Sequence, residues 1–326
     1  MRDTLVAVTG ANGFIGRRLT DELVRRGAKV RAVLRSAVDG PWQQVIVHDL
    51  GTGPMPHAAL HGVDTVFHLA GRAHELADEL NKDEPYQRVN VTGTLEVADA
   101  AARSGVRQLV YVSSVKAMGE GGPVRLNEDD EERPMGAYGR SKLAAERALL
   151  KIADERELTV RIVRPCLVFG PEPVGNLQRL FKLMTVPIFP ILDIADNKRS
   201  MIHVDDVVGA MLALAQSDRC ARRAYVLSGP CAYSTQELQR AMALAIDSGK
   251  WRCSMPSGVI RALAKVGDVA GKLLRRRMPL DSHRFEKLSE SAWYDDSALV
   301  TDTGFRSERR LEPVIQQWVK AWRSGV

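Results

Sequence analysis

Cysteine is scarce in this chain: Cys166, Cys220, Cys231 and Cys253 are the only four in 326 residues. None forms a CxxC pair and no His/Cys cluster has the spacing of zinc ligands, which argues against a disulfide framework or a structural metal. No metal site is expected. Long apolar runs are also missing. No segment approaches the roughly 18 apolar residues of a bilayer span. The amino-terminal residues lead directly into a strand-like run, Thr4–Val8, without the apolar core of a secretory signal. These absences predict a cytoplasmic protein without stable membrane insertion. Internal repeats and low-complexity segments are lacking too. What is present is an ordinary globular composition, 45% hydrophobic and 26% charged, enough for a sizeable core. The net charge of +6 suits phosphate-bearing substrates or an anionic surface, or is simply a solvated basic exterior. Nucleic acid is not an expected partner.

The first half alternates apolar, β-branched runs with helical patterns. Strand-like runs lie at Leu5–Val8, Val30–Leu34, Val45–Val47, Thr65–Leu69, Leu109–Val112 and Val160–Val163. Helical patterns cover Phe14–Arg26, Tyr86–Ser104 and Tyr138–Glu157. This alternation predicts an α/β fold with a Rossmann-type doubly wound parallel sheet. Ligands of such sheets bind in the crevice beyond the strands' carboxyl ends. After Pro171 the pattern loosens. Residues 1–170 are expected to form the dinucleotide-binding domain, with 198–228 returning to it. Residues 171–197 and 229–326 would form a smaller, mixed substrate-binding lobe. Within these regions a helix is predicted from Val204 to Gln216 and a strand at Ala224–Leu227. A capping box, Ser234-Thr235-Gln236-Glu237, marks another helix start. The stretch Gly258–Arg277 is amphipathic in part and ends in three arginines. It reads first as a packed helix with a basic end, and second as a membrane-surface element.

The segment Val6-Ala7-Val8-Thr9-Gly10-Ala11-Asn12-Gly13-Phe14-Ile15-Gly16 is a strand, a glycine turn and a helix start. Gly10 permits a tight turn, Gly13 lets the backbone approach a pyrophosphate, and Gly16 lets helix and strand pack closely. The helix N-terminus offers amides and a positive dipole end to phosphates. The next strand ends in Arg35, where NAD-binding versions usually place an acid for the ribose 2′-hydroxyl. An arginine suits a 2′-phosphate, so NADP(H) is favoured over NAD(H). Asp49, at the end of the third strand, is placed to accept from an adenine amino group or to serve as a turn residue.

Tyr138 and Lys142 are four residues apart at a helix start and so share one face. A free tyrosine titrates near 10, and lowering that to about 7 requires roughly 4 kcal/mol of preferential phenolate stabilisation. A nearby ammonium supplies part of this. Ser113-Ser114 closes the preceding strand at the same crevice edge, where a hydroxyl can bond a substrate oxygen and assist proton transfer.

Together these segments resemble the extended short-chain dehydrogenase/reductase family, which includes NAD-dependent sugar epimerases and dehydratases. Thr9-Gly10-x-x-Gly13-x-x-Gly16, Asp49-Leu50, His68-Leu69-Ala70, Asn90-Val91-x-Gly93-Thr94, Ser113-Ser114, Tyr138-x-x-x-Lys142 and Arg164-Pro165 occur in the family's order. The resemblance implies that Ser114, Tyr138 and Lys142 are catalytic, with Lys142 also holding the nicotinamide ribose. It implies a cofactor site of Gly10, Asn12, Gly13, Phe14, Ile15, Gly16, Arg35, Asp49, Leu50, Leu69, Ala70, Asn90 and Pro165 with Tyr138 and Lys142. It further implies a nucleotide-sugar substrate, a UDP-sugar first of all, with Asn176 and Arg199 on its diphosphate, and a homodimer formed through helices that include the one bearing Tyr138.

Two departures stand out. Leu167 occupies the position where epimerases usually carry a substrate-contacting asparagine, and Lys116 follows the serines, placed to reach a substrate acid or to project into solvent. No late arginine–glycine–aspartate signature is present, leaving Arg284 as the candidate for a second phosphate contact. The string Ser113-Ser114-Val115-Lys116-x-x-Gly119-Glu120 is similar to bacterial enzymes forming UDP-N-acetylquinovosamine for surface polysaccharides. The expected activity is thus reduction of the C4 ketone of a UDP-4-keto-sugar. A UDP-hexose 4-epimerase is the alternative, and a non-catalytic NAD(P)-sensing protein the alternative from another class. Dehydration is disfavoured, because Val115 and Lys116 stand where dehydratases show an acidic pair.

Overall fold

The computed structural model describes residues 2–73, 83–247, 252–274 and 281–325. Its elements run β1 (Leu5–Thr9), α1 (Phe14–Arg25), β2 (Lys29–Leu34), β3 (Gln44–Val47), β4 (Thr65–His68), α2 (Glu84–Tyr86), a π-helical segment (Gln87–Thr92), α3 (Gly93–Arg103), β5 (Gln108–Val112), α4 (Gly136–Glu155) and β6 (Thr159–Pro165). There follow β7 (Leu167–Phe169), α5 (Gly175–Met184), β8 (Ile191–Asp193), β9 (Arg199–His203), α6 (Val204–Gln216), β10 (Ala224–Leu227) and β11 (Ala232–Tyr233). The chain ends with α7 (Thr235–Asp247), β12 (Ser254–Pro256), α8 (Ser257–Leu274), α9 (Ser282–Ser289), α10 (Ser297–Thr303) and α11 (Glu312–Arg323).

Seven parallel strands form the main sheet in the order β10-β6-β5-β4-β1-β2-β3. Side chains alternate across it as strand geometry demands. Val6 and Val8 of β1, with Val110 and Val112 of β5, pack on one face beneath α1 and α6. Ala7, Leu109 and Tyr111 point to the other face, beneath α3 and α4. Both faces are covered, so the strands read as unbroken apolar runs rather than as alternating ones. The chain reverses its direction of travel between β1 and β4. At this switch point Thr9 is the register partner of His68, and a crevice opens beyond the two strand ends.

A three-stranded sheet, β11-β9-β7, and a parallel pair, β12-β8, belong to the later part of the chain. Leu177, Phe181, Met242, Ile315 and Trp318 join α5, α7 and α11 in a separate core. The predicted helix at 204–216 and strand at 224–227 are both present, and β10 completes the main sheet. The capping box forms as read: Glu237 N donates to Ser234 Oγ at 3.1 Å and Ser234 N donates to Glu237 Oε2 at 2.7 Å. The helix predicted over 86–104 is instead broken into α2, the π-helical segment and α3. Within the stretch after Pro171 where the sequence pattern loosens, Ile191–Asp193 form the strand β8. Arg275-Arg276-Arg277 and the side chain of Arg284 lie outside the described residues.

Candidate active site

The glycine turn connects β1 to α1. Gly10 has a φ of +68°, and a Cβ there would sit 2.9 Å from the Ala70 amide nitrogen. A side chain would therefore be strained and obstructed at once. A Cβ at Gly16 would overlap the Gly10 carbonyl, so this helix can approach the turn only as glycine. Gly13 is the N-cap of α1, with no side-chain cap, and the first turn carries no acid. The leading amides of α1 thus face the crevice with the helix dipole behind them, which fits a dinucleotide's pyrophosphate. Asn12 is exposed and its carbonyl accepts from Arg17 Nε at 3.0 Å. Ile15 is half-buried, and the half-buried Phe14 lies with its ring against Gly170, beyond β7.

A chain of buried hydrogen bonds ties this turn to the neighbouring strand ends. Leu69 N and Ala70 N both donate to Thr9 Oγ1 at 3.1 Å. Thr9 Oγ1 lies 2.6 Å from His68 Nδ1, and His68 Nε2 lies 2.9 Å from Thr94 Oγ1. Thr94 gives its own proton to the Asn90 carbonyl at 2.6 Å. The Thr94 oxygen must then accept from His68 Nε2, which leaves Nδ1 to accept from Thr9. Burial, reinforced by the Lys142 charge, holds the His68 imidazolium pKa down at about 3, consistent with that neutral tautomer. Asn90 extends the network. Its Oδ1 accepts from Arg72 N at 2.7 Å, while Nδ2 donates to Arg72 O at 3.1 Å and to Ser141 Oγ at 2.9 Å. Ser141 donates to the Tyr138 carbonyl at 2.8 Å. Asn90 thus fastens the 69–72 loop, which carries Leu69 and Ala70, to Ser141 of α4.

On α4, Lys142 is buried and donates to the Val112 carbonyl at 2.9 Å and to Tyr111 Oη at 3.1 Å. Its ammonium also stands 4.7 Å from the Tyr111 ring centroid. Burial pulls its pKa down to about 8, with the Glu146 carboxylate opposing that shift. Ser114 is extended beyond β5 and caps the short turn Val115–Ala117, its Oγ accepting from Lys116 N at 3.2 Å. This turn rests on α4 at Gly139, where a Cβ would come within 2.5 Å of the Lys116 carbonyl. The glycine after Tyr138 therefore lets the Ser114 turn and the tyrosine's helix meet. Tyr138 is half-buried, its ring 6.3 Å from that of the buried Tyr86. Lys116, read as a candidate substrate contact, is ion-paired with Glu120.

Behind these groups lies a second buried cluster. Glu146, one turn beyond Lys142, accepts from Ser113 Oγ and from Arg164. Arg164 Nε reaches both Glu146 oxygens at 3.1 Å, and its Nη2 reaches Oε2 at 2.5 Å. Arg164 also pairs with Glu132. The Arg164-Pro165 motif thus serves as a strut linking β6, α4 and the end of β5, while Pro165 itself is buried at the end of β6. Thr9, His68, Asn90, Thr94, Ser113, Lys142 and Arg164 were visible as motif letters, whereas Arg72, Ser141, Glu132 and Glu146 were not singled out. Their roles were not visible, because most of their partners are distant in sequence, as His68 is from Thr9 and Arg164 from Glu146.

The remaining candidates spread around this centre. Arg35 is exposed immediately beyond β2 and takes no ion pair among the described residues. Asp49 receives Arg88 Nη1 at 3.3 Å, and Glu96 closes the loop after it by accepting from Gly51 N at 2.8 Å and Gly53 N at 3.0 Å. Leu50 is buried against Gly93 of α3. Leu167, exposed at the start of β7, offers an apolar side chain where an asparagine would offer an amide. Asn176 is exposed on the first turn of α5 and does not cap it. Arg199 is half-buried at the start of β9, its guanidinium pKa pulled down by burial while Glu290 opposes the shift. Both lie outside the main sheet. Asp205 and Asp206 charge the first turn of α6, which His203 Nδ1 caps by accepting from Asp205 N at 3.1 Å.

Comparison with known proteins converges on this geometry. A UDP-glucose 4-epimerase of Vibrio cholerae is 30% identical over 296 residues, 87% of this chain and 89% of that protein. A 2-alkyl-3-oxoalkanoate reductase of Stenotrophomonas maltophilia is 27% identical over 335 aligned positions, 96% of this chain and 97% of its own. Among solved structures, MoeE5 in complex with UDP-glucuronic acid and NAD superimposes with a TM-score of 0.74 at 27% identity, covering 98% of this chain and 99% of that one. The model of the NAD dependent epimerase/dehydratase family matches residues 6–227, a span that takes in the glycine turn, the Ser114 turn, the Tyr138–Lys142 helix and, but for Leu5, the seven-stranded sheet. With the motifs in family order on the family's sheet, this chain belongs to the NAD dependent epimerase/dehydratase family.

Proposed function

We propose that the chain reduces the C4 ketone of a UDP-4-keto-sugar at the expense of NADPH. The observation that carries the cofactor choice, and with it the direction, is Arg35. A guanidinium at the exposed end of β2 suits a 2′-phosphate, where an acid would suit a 2′-hydroxyl. The α1 amides beside Gly10 and Gly13 would hold the pyrophosphate and Lys142 the ribose next to the nicotinamide. Bound there, the nicotinamide supplies hydride to the carbonyl carbon. Tyr138 gives its phenolic proton to the carbonyl oxygen, so the ketone gains one hydride and one proton and becomes an alcohol. Ser114 holds that oxygen by a hydrogen bond. The Lys142 charge favours phenolate and so eases the release of the tyrosine proton. The UDP-sugar class is taken from the ligands named for MoeE5 and from the Vibrio cholerae relative, with Arg199 and Asn176 assigned to the diphosphate. Surface polysaccharide assembly is the setting this chemistry fits.

The Vibrio cholerae epimerase favours a second reading: oxidation and re-reduction of C4 on tightly held NAD. Cofactor turnover separates the two. The proposal expects stoichiometric NADPH consumption with a UDP-4-keto-sugar, followed by absorbance and by product stereochemistry. It also expects Arg35→Ala to raise the KM for NADPH about ten- to a hundredfold, the loss of one charge-assisted contact, with the NADH reaction unmoved. Interconversion of UDP-glucose and UDP-galactose without net NADPH loss would give the site to the epimerase instead.

A further inference from the structure

The helix α8 uses only half of its apolar surface. At about 100° per residue, Ile260 and Ala264 fall on one side, where they are buried with Leu192, Ile194 and Phe285. Val259, Leu263, Val266 and Val269 fall on the other side within an arc of about 120°. Their exposures are 48%, 46%, 64% and 68%. A helix that merely packs on a domain turns a polar face to solvent, and these four valines and leucines do the opposite. The polar arc is narrow and cationic. Arg261 and Lys265 are exposed along it, and Arg261 lies 5.7 Å from the Phe285 ring centroid. The sequence continues with Lys272 and Arg275-Arg276-Arg277, whose side chains lie outside the described residues.

We propose that this face of α8 docks on an anionic lipid surface, lying in the plane of the headgroups. The apolar arc would enter the headgroup boundary while Lys265 meets the lipid phosphates beside it. The charge pattern decides against a second copy of the chain. Two such helices face to face would bring lysine towards lysine. The only acid on α8, Asp268, is already engaged, accepting from Ser282 Oγ at 2.6 Å and Ser282 N at 3.0 Å. A net charge of +6 adds a long-range attraction to the same surface. No helix among the described residues is long and apolar enough to cross a membrane, so the contact is peripheral. It rests on α8 alone and is independent of the reaction proposed above.

The test is co-sedimentation of the full chain with vesicles of phosphatidylcholine alone or mixed with phosphatidylglycerol. Binding is expected on the phosphatidylglycerol vesicles. It should weaken as salt rises from about 0.1 M to about 1 M and the screening length falls from about 10 Å to about 3 Å. Leu263→Asp with Val266→Asp should lower the bound fraction about tenfold or more, because a charge replaces each inserted side chain. Lys265→Glu should lower it about fivefold through the headgroup term. Far-UV circular dichroism and NADPH binding should be unchanged in these variants, since the altered residues face away from Ile260 and Ala264. Absence of pelleting with phosphatidylglycerol would overturn the proposal, as would equal pelleting on phosphatidylcholine. A concentration-dependent dimer that Leu263→Asp/Val266→Asp abolishes would assign the face to a second copy.

Discussion

Glu146→Ala strikes the buried polar cluster behind Ser114, Tyr138 and Lys142, the candidate catalytic groups. The carboxylate is 2% exposed and Arg164 3%. Deleting it removes Arg164 Nε contacts at 3.1 Å to two oxygens, the Nη2 contact at 2.5 Å and the acceptor of Ser113 Oγ. Breaking a buried ion pair from one side costs about 3–5 kcal/mol, because the remaining charge stays desolvated. Arg164 keeps Glu132, which places this loss near the lower bound, and the orphaned Ser113 hydroxyl adds about 1 kcal/mol. The expected destabilisation is therefore about 3–4 kcal/mol, read from urea unfolding at unchanged m-value. Glu146→Leu combined with Arg164→Met should lose less than Glu146→Ala alone, since no buried charge is left. Activity should report the same cluster through Lys142. Glu146 opposes the burial that brings the Lys142 pKa to about 8, so the alanine variant should shift the Lys142-dependent limb of the pH–rate profile towards acid. A loss below about 1 kcal/mol with an unmoved profile would refute the reasoning.

Tyr138→Phe should lower kcat about 10²–10⁴-fold, the range of a lost general acid, with cofactor affinity retained in fluorescence titration; full turnover would return the site to a sensing role. His68 is buried neutral with its pKa near 3 against an ordinary 6.5. Below that ordinary value the unfolded chain binds a proton that the fold refuses, so His68's contribution is present above about pH 6.5 and drains away towards about pH 3. About 2–3 kcal/mol should be gone by about pH 4.5, and His68→Gln should flatten this slope in urea melts compared between those conditions; an identical slope would remove His68 as its cause. Asn90→Ala deletes three hydrogen bonds, two to Arg72 of the 69–72 loop and one to Ser141 of α4. It should cost about 2–3 kcal/mol and lower kcat together with cofactor affinity, whereas wild-type kinetics would show that the loop holds its place without Asn90.

The alternation of strands and helices, the glycine turn and the Tyr138–Lys142 spacing are properties of short stretches of backbone. A φ of +68° at Gly10 and a shared helix face at four-residue spacing need only local geometry, so these elements were legible residue by residue. The capping box at Ser234 and Glu237 was legible for the same reason. The π-helical break at 87–92 was not, because the 3.6-residue pattern persists through it while Asn90 is drawn to Arg72 and Ser141. The short strands β7 and β8 escaped because three residues carry too little periodicity.

What the sequence determined, then, is the doubly wound sheet, the glycine turn and the identity of the residues set at its rim. Tertiary structure decided what each polar group does there. Lys116, placed by the sequence to reach a substrate acid or to project into solvent, pairs with Glu120. Thr9, His68 and Thr94, quoted only as motif letters, form the bonded chain that joins β1, β4 and α3. On α8, read first as a packed helix and second as a membrane-surface element, Ile260 and Ala264 are buried while Val259, Leu263, Val266 and Val269 are exposed. The physical reason is the same for the buried chain and for α8. Backbone preference is set by neighbours in the chain, whereas the partner of a buried proton or the cover of an apolar face is set by residues tens of positions away.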